Sequence, residues 1–308
     1  MPMQTSPHTT QVLQPNAQLS PGVRELFVTA WGMTDRGRVR STNEDQFVIA
    51  ALTGTLWVQQ SSLPQPRVRC GEPTGHLFVV ADGIGGHGGG ARASALAVEV
   101  VEKLALGALG RLFMPAGGPS SFASDLGPSD ELEHAVREAD ATVRTEASED
   151  ASLSQMGTTL TLAYSLGDQL YVAHVGDSRC YLLRDGALRQ LTHDHTIAGE
   201  LAEAGVVVQA AALDRYRHVL TNAVGGGVAS TKVELQGSKL MAGDVVVLSS
   251  DGLHDSVEDA VIADILRREP SPERACAALI RAANEAGGRD NTTVVVARYD
   301  APVPGRSR

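Results

Sequence analysis

Apolar runs in this 308-residue chain repeatedly begin or end on a carboxylate. Leu77-Phe78-Val79-Val80-Ala81 stops at Asp82-Gly83, and Val245-Val246-Val247-Leu248-Ser249-Ser250 stops at Asp251-Gly252. Asp290 stands directly before the run Asn291–Arg298, and Glu44-Asp45 directly before Gln46-Phe47-Val48. A continuous apolar run closed by a turn is the pattern of a buried strand. A carboxylate at such an end is held by a rigid scaffold while its oxygens face outward. Several converging there repel one another unless a cation neutralises them. Oxygen-only donors suit hard divalent ions, Mg²⁺ or Mn²⁺, that keep several waters. Glycine beside two of these aspartates lets backbone or ligand approach closely. Asp-Gly is also a common turn, and Gly167-Asp168 and Asp185-Gly186 read as tight hairpin turns.

The runs organise into a coarse fold. Strands are expected at Leu26–Met33, Gln46–Ala51, Leu56–Gln59 and Leu77–Ala81. Ala91–Leu106 and Glu131–Glu146 carry helical apolar stripes. Strands resume at Thr158–Ser165, Gln169–Val175, Arg179–Leu183 and Leu188–Leu191. Residues 196–227 mix helical and Gly-rich character. Val233–Leu235 and Asp244–Ser249 read as strands, Ala260–Arg268 and Glu273–Ala286 as helices, and Asn291–Arg298 as a closing strand. Gln60–Gly75 and Gly107–Ser129 read as loops, and residues 1–24 and 301–308 as disordered tails around one domain at 25–300. Strands, two helices, strands, two helices, strand is not the alternation of a parallel α/β fold. It fits an α+β protein, with antiparallel sheets covered by helices.

Composition narrows the function. The net charge of −10 disfavours nucleic acid and anionic membranes as partners. Cys70, Cys180 and Cys276 are odd in number and far apart, which fits neither a disulfide framework nor a zinc knuckle. No run reaches membrane-helix length and no signal peptide is evident, so a soluble, cytoplasmic protein is expected.

The motifs, in order, are Arg40-Ser41-Thr42-Asn43-Glu44-Asp45, Val80-Ala81-Asp82-Gly83-Ile84-Gly85-Gly86-His87, Met156-Gly157-Thr158-Thr159, His174-Val175-Gly176-Asp177-Ser178-Arg179, Leu191-Thr192-His193-Asp194-His195-Thr196, Ser250-Asp251-Gly252-Leu253 and Gly288-Arg289-Asp290-Asn291-Thr292. Together they resemble the metal-dependent PPM (protein phosphatase 2C-type) serine/threonine phosphatases, in their bacterial form. The resemblance implies a four-layer αββα sandwich: two central antiparallel sheets flanked by helix pairs, with metals at one end. It implies that Asp82 and the Gly83 carbonyl, with Asp251 and Asp290, bind two Mn²⁺ or Mg²⁺ ions, that Asp45 and Glu44 act directly or through coordinated water, and that Asp177 with Asp251 holds a third, with a hairpin-capping turn as the alternative for Asp177. A metal-bridging water would attack phosphoserine or phosphothreonine directly. Arg40 would grip the phosphate, since a guanidinium fork matches two of its oxygens. Arg36 and Arg38 are expected in surface salt bridges. His87 is a candidate general acid, with a structural role in its Gly-rich turn as the alternative.

His174, within an apolar run, is expected to be a hydrogen-bonded core residue. His193 and His195, flanking Asp194, are expected to cap the following helix, with contact to substrate as the alternative. None of the cysteines lies in a Cys-x5-Arg phosphate loop, so a thiol nucleophile is not expected. The resemblance implies that residues 196–227 correspond to the family's flap beside the active site, which would help choose substrates. The implied partners are phosphorylated proteins, a Ser/Thr kinase and its targets, met by a monomer. The alternatives are a metallohydrolase of small phosphate esters and a phosphoprotein-binding module.

Overall fold

The computed structural model describes residues 26–52, 56–61, 75–85, 89–106, 127–206, 214–227 and 230–301. The tail 1–24, most of both expected loops and of the 301–308 tail, and His87 lie outside them. The strands are β1 (Phe27–Asp35), β2 (Gln46–Leu52), β3 (Leu56–Ser61), β4 (Gly75–Ala81), β5 (Gly83–Ile84), β6 (Gly157–Thr158), β7 (Leu160–Leu166), β8 (Gln169–Val175), β9 (Arg179–Arg184), β10 (Ala187–Gln190), β11 (Val224–Gly225), β12 (Glu234–Lys239), β13 (Val245–Ser249) and β14 (Thr292–Asp300). The helices are α1 (Gly89–Leu104), α2 (Pro128–Glu149), α3 (Ile197–Glu203), α4 (Asp251–His254), α5 (Asp259–Arg268) and α6 (Pro272–Glu285).

A five-stranded sheet runs β1-β14-β13-β9-β10 and a six-stranded sheet β12-β8-β7-β4-β2-β3. Side chains alternate across a strand, and this alternation sorts the core into layers. Phe47, Ile49, Phe78 and Val80 from one sheet meet Cys180, Leu182, Val246, Leu248 and Val295 from the other. Val48, Val79 and Leu162 point outward to Val98, Val101, Leu132 and Val136 of α1 and α2. Tyr181, Val247 and Val296 point the other way, to Ile262, Leu266, Cys276 and Leu279 of α5 and α6. The layers are αββα, as the resemblance implies. The hairpin turns follow their residues: Asp185 and Gly186 both take positive φ, 50° and 79°, which the right-handed strand twist demands of a two-residue loop.

Two expectations are corrected. The expected strand Thr158–Ser165 is two strands, because Thr159 turns its bonds away from the ladder and onto Asp82. β6 instead joins β11 and β5 in a separate three-stranded sheet. The Val233–Leu235 strand extends to Lys239 because the polar residues that follow lie on an edge, where one face stays in water.

Candidate metal centre

Antiparallel pairing gathers the carboxylates. Gln46 at the start of β2 lies opposite Ala81 at the end of β4, so Glu44-Asp45 and Asp82 emerge side by side. Ser249 at the end of β13 pairs with Val294 near the start of β14 and with Arg179 at the start of β9. Asp251, Asp290 and Asp177 therefore emerge at that same end of their sheet. Hydrogen bonds fasten the two sheets there. The Ser250 hydroxyl donates to Asp45 Oδ2 (2.8 Å) and accepts from the Thr293 amide (2.9 Å). The Asp82 amide donates to Thr159 Oγ1 (2.9 Å), and the Asp82 carbonyl accepts from the Thr159 amide (2.9 Å) and Thr158 Oγ1 (2.8 Å). Thr159 Oγ1 also lies 2.8 Å from Ser178 Oγ, beside Asp177.

Asn291 ties down the loop that carries Arg40. Its Nδ2 donates to the carbonyls of Arg36 (3.0 Å) and Thr42 (2.9 Å), and its Oδ1 accepts from the Glu44 amide (2.8 Å). A Cβ on Gly83 would strike the Gly90 carbonyl, and one on Gly90 would sit 2.5 Å from Glu44 Oε2. Glu44 is thus held against the start of α1, where the helix dipole favours negative charge.

The electrostatics are those of a site short of positive charge. Burial, then Asp45, Asp251, Asp177 and Asp290, hold the Asp82 carboxyl well above its usual range. Burial, then Asp177, Asp255, Asp290 and Asp45, do the same to Asp251. Burial pushes Asp45 up to about 6, against the opposing hydrogen bonds from Thr293 and Ser250. Burial, then Asp194 and Asp255, push Asp177 up to about 7. Glu44 is raised as well, chiefly by burial. Asp45 Oδ1 and Asp251 Oδ1 are buried with no hydrogen-bond partner among the described residues. Two orphaned carboxylate oxygens in a mutually repelling set fit hard divalent cations.

Arginine neutralises the set at its rim and not at its buried members. Arg40 Nη2 pairs with Asp290 Oδ2 at 2.5 Å, with both side chains at the rim. Arg36 and Arg38 depart from the expected salt bridges. Among the described residues, the Arg36 guanidinium donates to the Ser41 carbonyl (3.2 Å) and the Arg38 amide to the Gly288 carbonyl (2.7 Å).

Asp255 and His218 were not anticipated. His218 Nδ1 lies 3.1 Å from Asp255 Oδ2, and donor atoms of His218, Asp251 and Asp255 fall within 4.8 Å of one another. Asp255 follows Asp251 by four residues, the same-face spacing of a helix. α4 is one turn long, too short to show a period.

The histidine expectations divide. His174 is fully buried, with Nδ1 2.9 Å from Thr161 Oγ1 and Nε2 3.0 Å from the carbonyls of Gly176 and His193. It is the expected core residue, and burial pulls its pKa down to about 4. His195 Nδ1 accepts from the Gly176 amide (3.1 Å), and Glu234 takes His193 Nδ1 at 2.7 Å. The donor atoms of His174, His195 and Glu234 also come close together. The ring nitrogens of His174 are committed to protein partners, so this cluster is a hydrogen-bond network. Neither His193 nor His195 caps α3. Thr196 does, accepting from the Gly199 amide (3.0 Å), because its hydroxyl sits at the N-cap position itself. Cys180 and Cys276 are buried, and burial pushes their thiols up to about 12, away from the thiolate a nucleophile needs; Cys70 lies outside the described residues. Among the described residues no helix is long and apolar enough to cross a membrane.

By donor chemistry and position this is a candidate divalent-metal centre at one end of a two-sheet sandwich. Residues 54–287 match the family model described as protein phosphatase 2C. The serine/threonine protein phosphatase PstP of Mycobacterium tuberculosis is 32% identical over 265 residues, which cover 86% of this chain and 43% of that protein. The serine/threonine phosphatase stp of Listeria monocytogenes is 32% identical over 280 residues, 89% of this chain and 96% of that one. The crystal structure of the PstP catalytic domain with two manganese ions superposes with a TM-score of 0.68 at 31% identity, covering 89% of this chain and 99% of that one. The chain belongs to the protein phosphatase 2C family, and with it to the protein-serine/threonine phosphatases.

Proposed function

We propose that Asp82, Asp251, Asp45, Asp290, Glu44 and the Gly83 carbonyl hold two divalent cations, Mn²⁺ or Mg²⁺, and that Asp177 with Asp251 takes a third. The reading rests on one observation above all: the buried, partnerless oxygens of Asp45 and Asp251 inside a set of carboxylates that raise one another's pKa. When bound, such ions lower the pKa of water toward neutrality and offset charge on a phosphoryl group.

The chain's own residues do the rest. Arg40 exchanges Asp290 for the substrate phosphate at the rim, presenting two parallel N–H donors. Ser250, Thr293, Thr158 and Thr159 fix the directions of Asp45 and Asp82 through the hydrogen bonds described above. Gly83 and Gly90 leave room that any side chain would fill. His87 remains our candidate for protonating the leaving serine or threonine oxygen.

The substrates are phosphoproteins, including a Ser/Thr kinase and its targets, so the enzyme opposes that kinase in signalling. It acts as a cytoplasmic monomer with one catalytic domain at 25–300. The acidic balance supports partners other than nucleic acid or membranes. The test is Mn²⁺-dependent release of phosphate from a phosphothreonine peptide against a sugar phosphate. Faster turnover of the peptide is expected. Preference for the sugar phosphate would make the chain a small-ester hydrolase, and binding without turnover a phosphoprotein-binding module.

A further inference from the structure

The strands β9, β13 and β14 start or end at the acidic centre, and their other ends, Arg184, Val245 and Arg298, line a second concavity of about 290 Å³. Five strand residues at about 3.3 Å each separate the two by on the order of 15–20 Å. The loop Met241–Asp244, the turn Asp185-Gly186 and the end of α5 complete its walls.

Three arginines meet there, and they differ in what they are already doing. Arg184 is committed: its Nε and Nη2 grip Asp244 (2.9 and 2.6 Å), and Nη2 also donates to the Lys239 carbonyl (2.6 Å). Arg298 has no carboxylate within ion-pair distance among the described residues. Its Nη2 donates to the carbonyls of Leu266 (2.5 Å) and Glu269 (2.6 Å), and its buried Nε has no acceptor. Burial pulls its pKa down, and Asp300 offsets this only in part. Arg267 is half exposed and lies against Gly186. Its carboxylate partner, Asp264, is shared: Oδ1 lies 3.6 Å from Arg267 while Oδ2 is held at 2.6 Å by Arg268. The acids near them are Asp185 on the turn, Asp244, already paired with Arg184, and Asp300, which acts on Arg298 at a distance. Leu183, Val245, Leu266 and Met241 supply an apolar wall.

A guanidinium with no carboxylate partner among the described residues, Arg298, next to one that shares a loose ion pair, Arg267, beside an apolar wall, is a recognition surface for an anion carrying an apolar body. We propose that this cavity binds a small phosphorylated metabolite of nucleoside-monophosphate size, its phosphate taken by Arg267 and Arg298 and its body lying on Met241 and Leu266. The site is separate from the acidic centre, so its occupancy does not depend on divalent metal.

The test is equilibrium dialysis of AMP against the full chain, with Mn²⁺ and again with EDTA. Adenosine and inorganic phosphate serve as separate probes of body and anion. Wild type is expected to bind AMP with the same affinity in both conditions and more tightly than either fragment. Arg267→Glu should weaken AMP at least tenfold in both. Ala242→Trp, which crowds the cavity without changing charge, should do the same and serves should the first variant fold poorly. AMP binding that disappears with EDTA, or that both variants retain at wild-type strength, overturns the proposal.

Discussion

Asp45 and Asp244 are each 2% exposed and sit at opposite ends of the sandwich. Asp244 accepts two bonds from the Arg184 guanidinium and one from the Met241 amide (2.7 Å). Asp45 has only neutral donors, and one of its oxygens has none. Equal burial thus has opposite meanings. A buried carboxylate with a guanidinium is closed to further chemistry, whereas one surrounded by other carboxylates asks for charge from outside the chain. What distinguishes the functional end is unmet charge rather than acid content.

The comparison breaks most directly at Asp82. Asp82→Ala is expected to cut Mn²⁺-dependent phosphopeptide hydrolysis by about 10³-fold or more, the scale of removing a preorganised electrostatic group. The variant's melting temperature in EDTA should not fall, because the change relieves repulsion. A near wild-type rate would remove Asp82 from the mechanism.

At the other end the pattern reverses. Arg184→Met leaves Asp244 buried without its cation and should cost about 3–5 kcal/mol. Denaturant unfolding reads this cost, and the folded fraction should keep its specific activity.

The histidine network adds a pH test. Its folded pKa of about 4 lies below the ordinary value of about 6.5, so His174 favours the folded state above that value. Stability should fall as pH drops from about 6.5 toward 4, by about 3 kcal/mol for one proton taken up on unfolding. Denaturant midpoints across that range should show the slope in wild type and a flatter profile in His174→Gln.

The smallest effect belongs to an exposed pair. Arg137 and Glu133 on α2 are one helical turn apart at 2.5 Å, and Glu133→Gln should change stability by about 0.5 kcal/mol or less.

Much of this contrast is written in short-range pattern. Asp82, Asp251, Asp290 and Asp45 are legible because apolar runs announce strand ends, and antiparallel pairing brings such ends together. Asp255 and His218 are hidden, one on a single helical turn and the other on a Gly-rich segment brought close only by tertiary folding. The break at Thr159 is equally silent, since a threonine bonding Asp82 looks like any β-branched strand residue. The Arg36 guanidinium serves the Ser41 carbonyl because loop geometry, not charge, sets its partner.

Asn291 carries a consequence for synthesis. The loop bearing Arg40 and Glu44 is made early, yet the amide that secures it is separated from it by almost the whole domain. A chain still emerging from the ribosome therefore has its acids but not their arrangement. On the proposed assignment, hydrolytic competence would arrive with the last strand, and a half-made copy would be inert toward phosphoproteins.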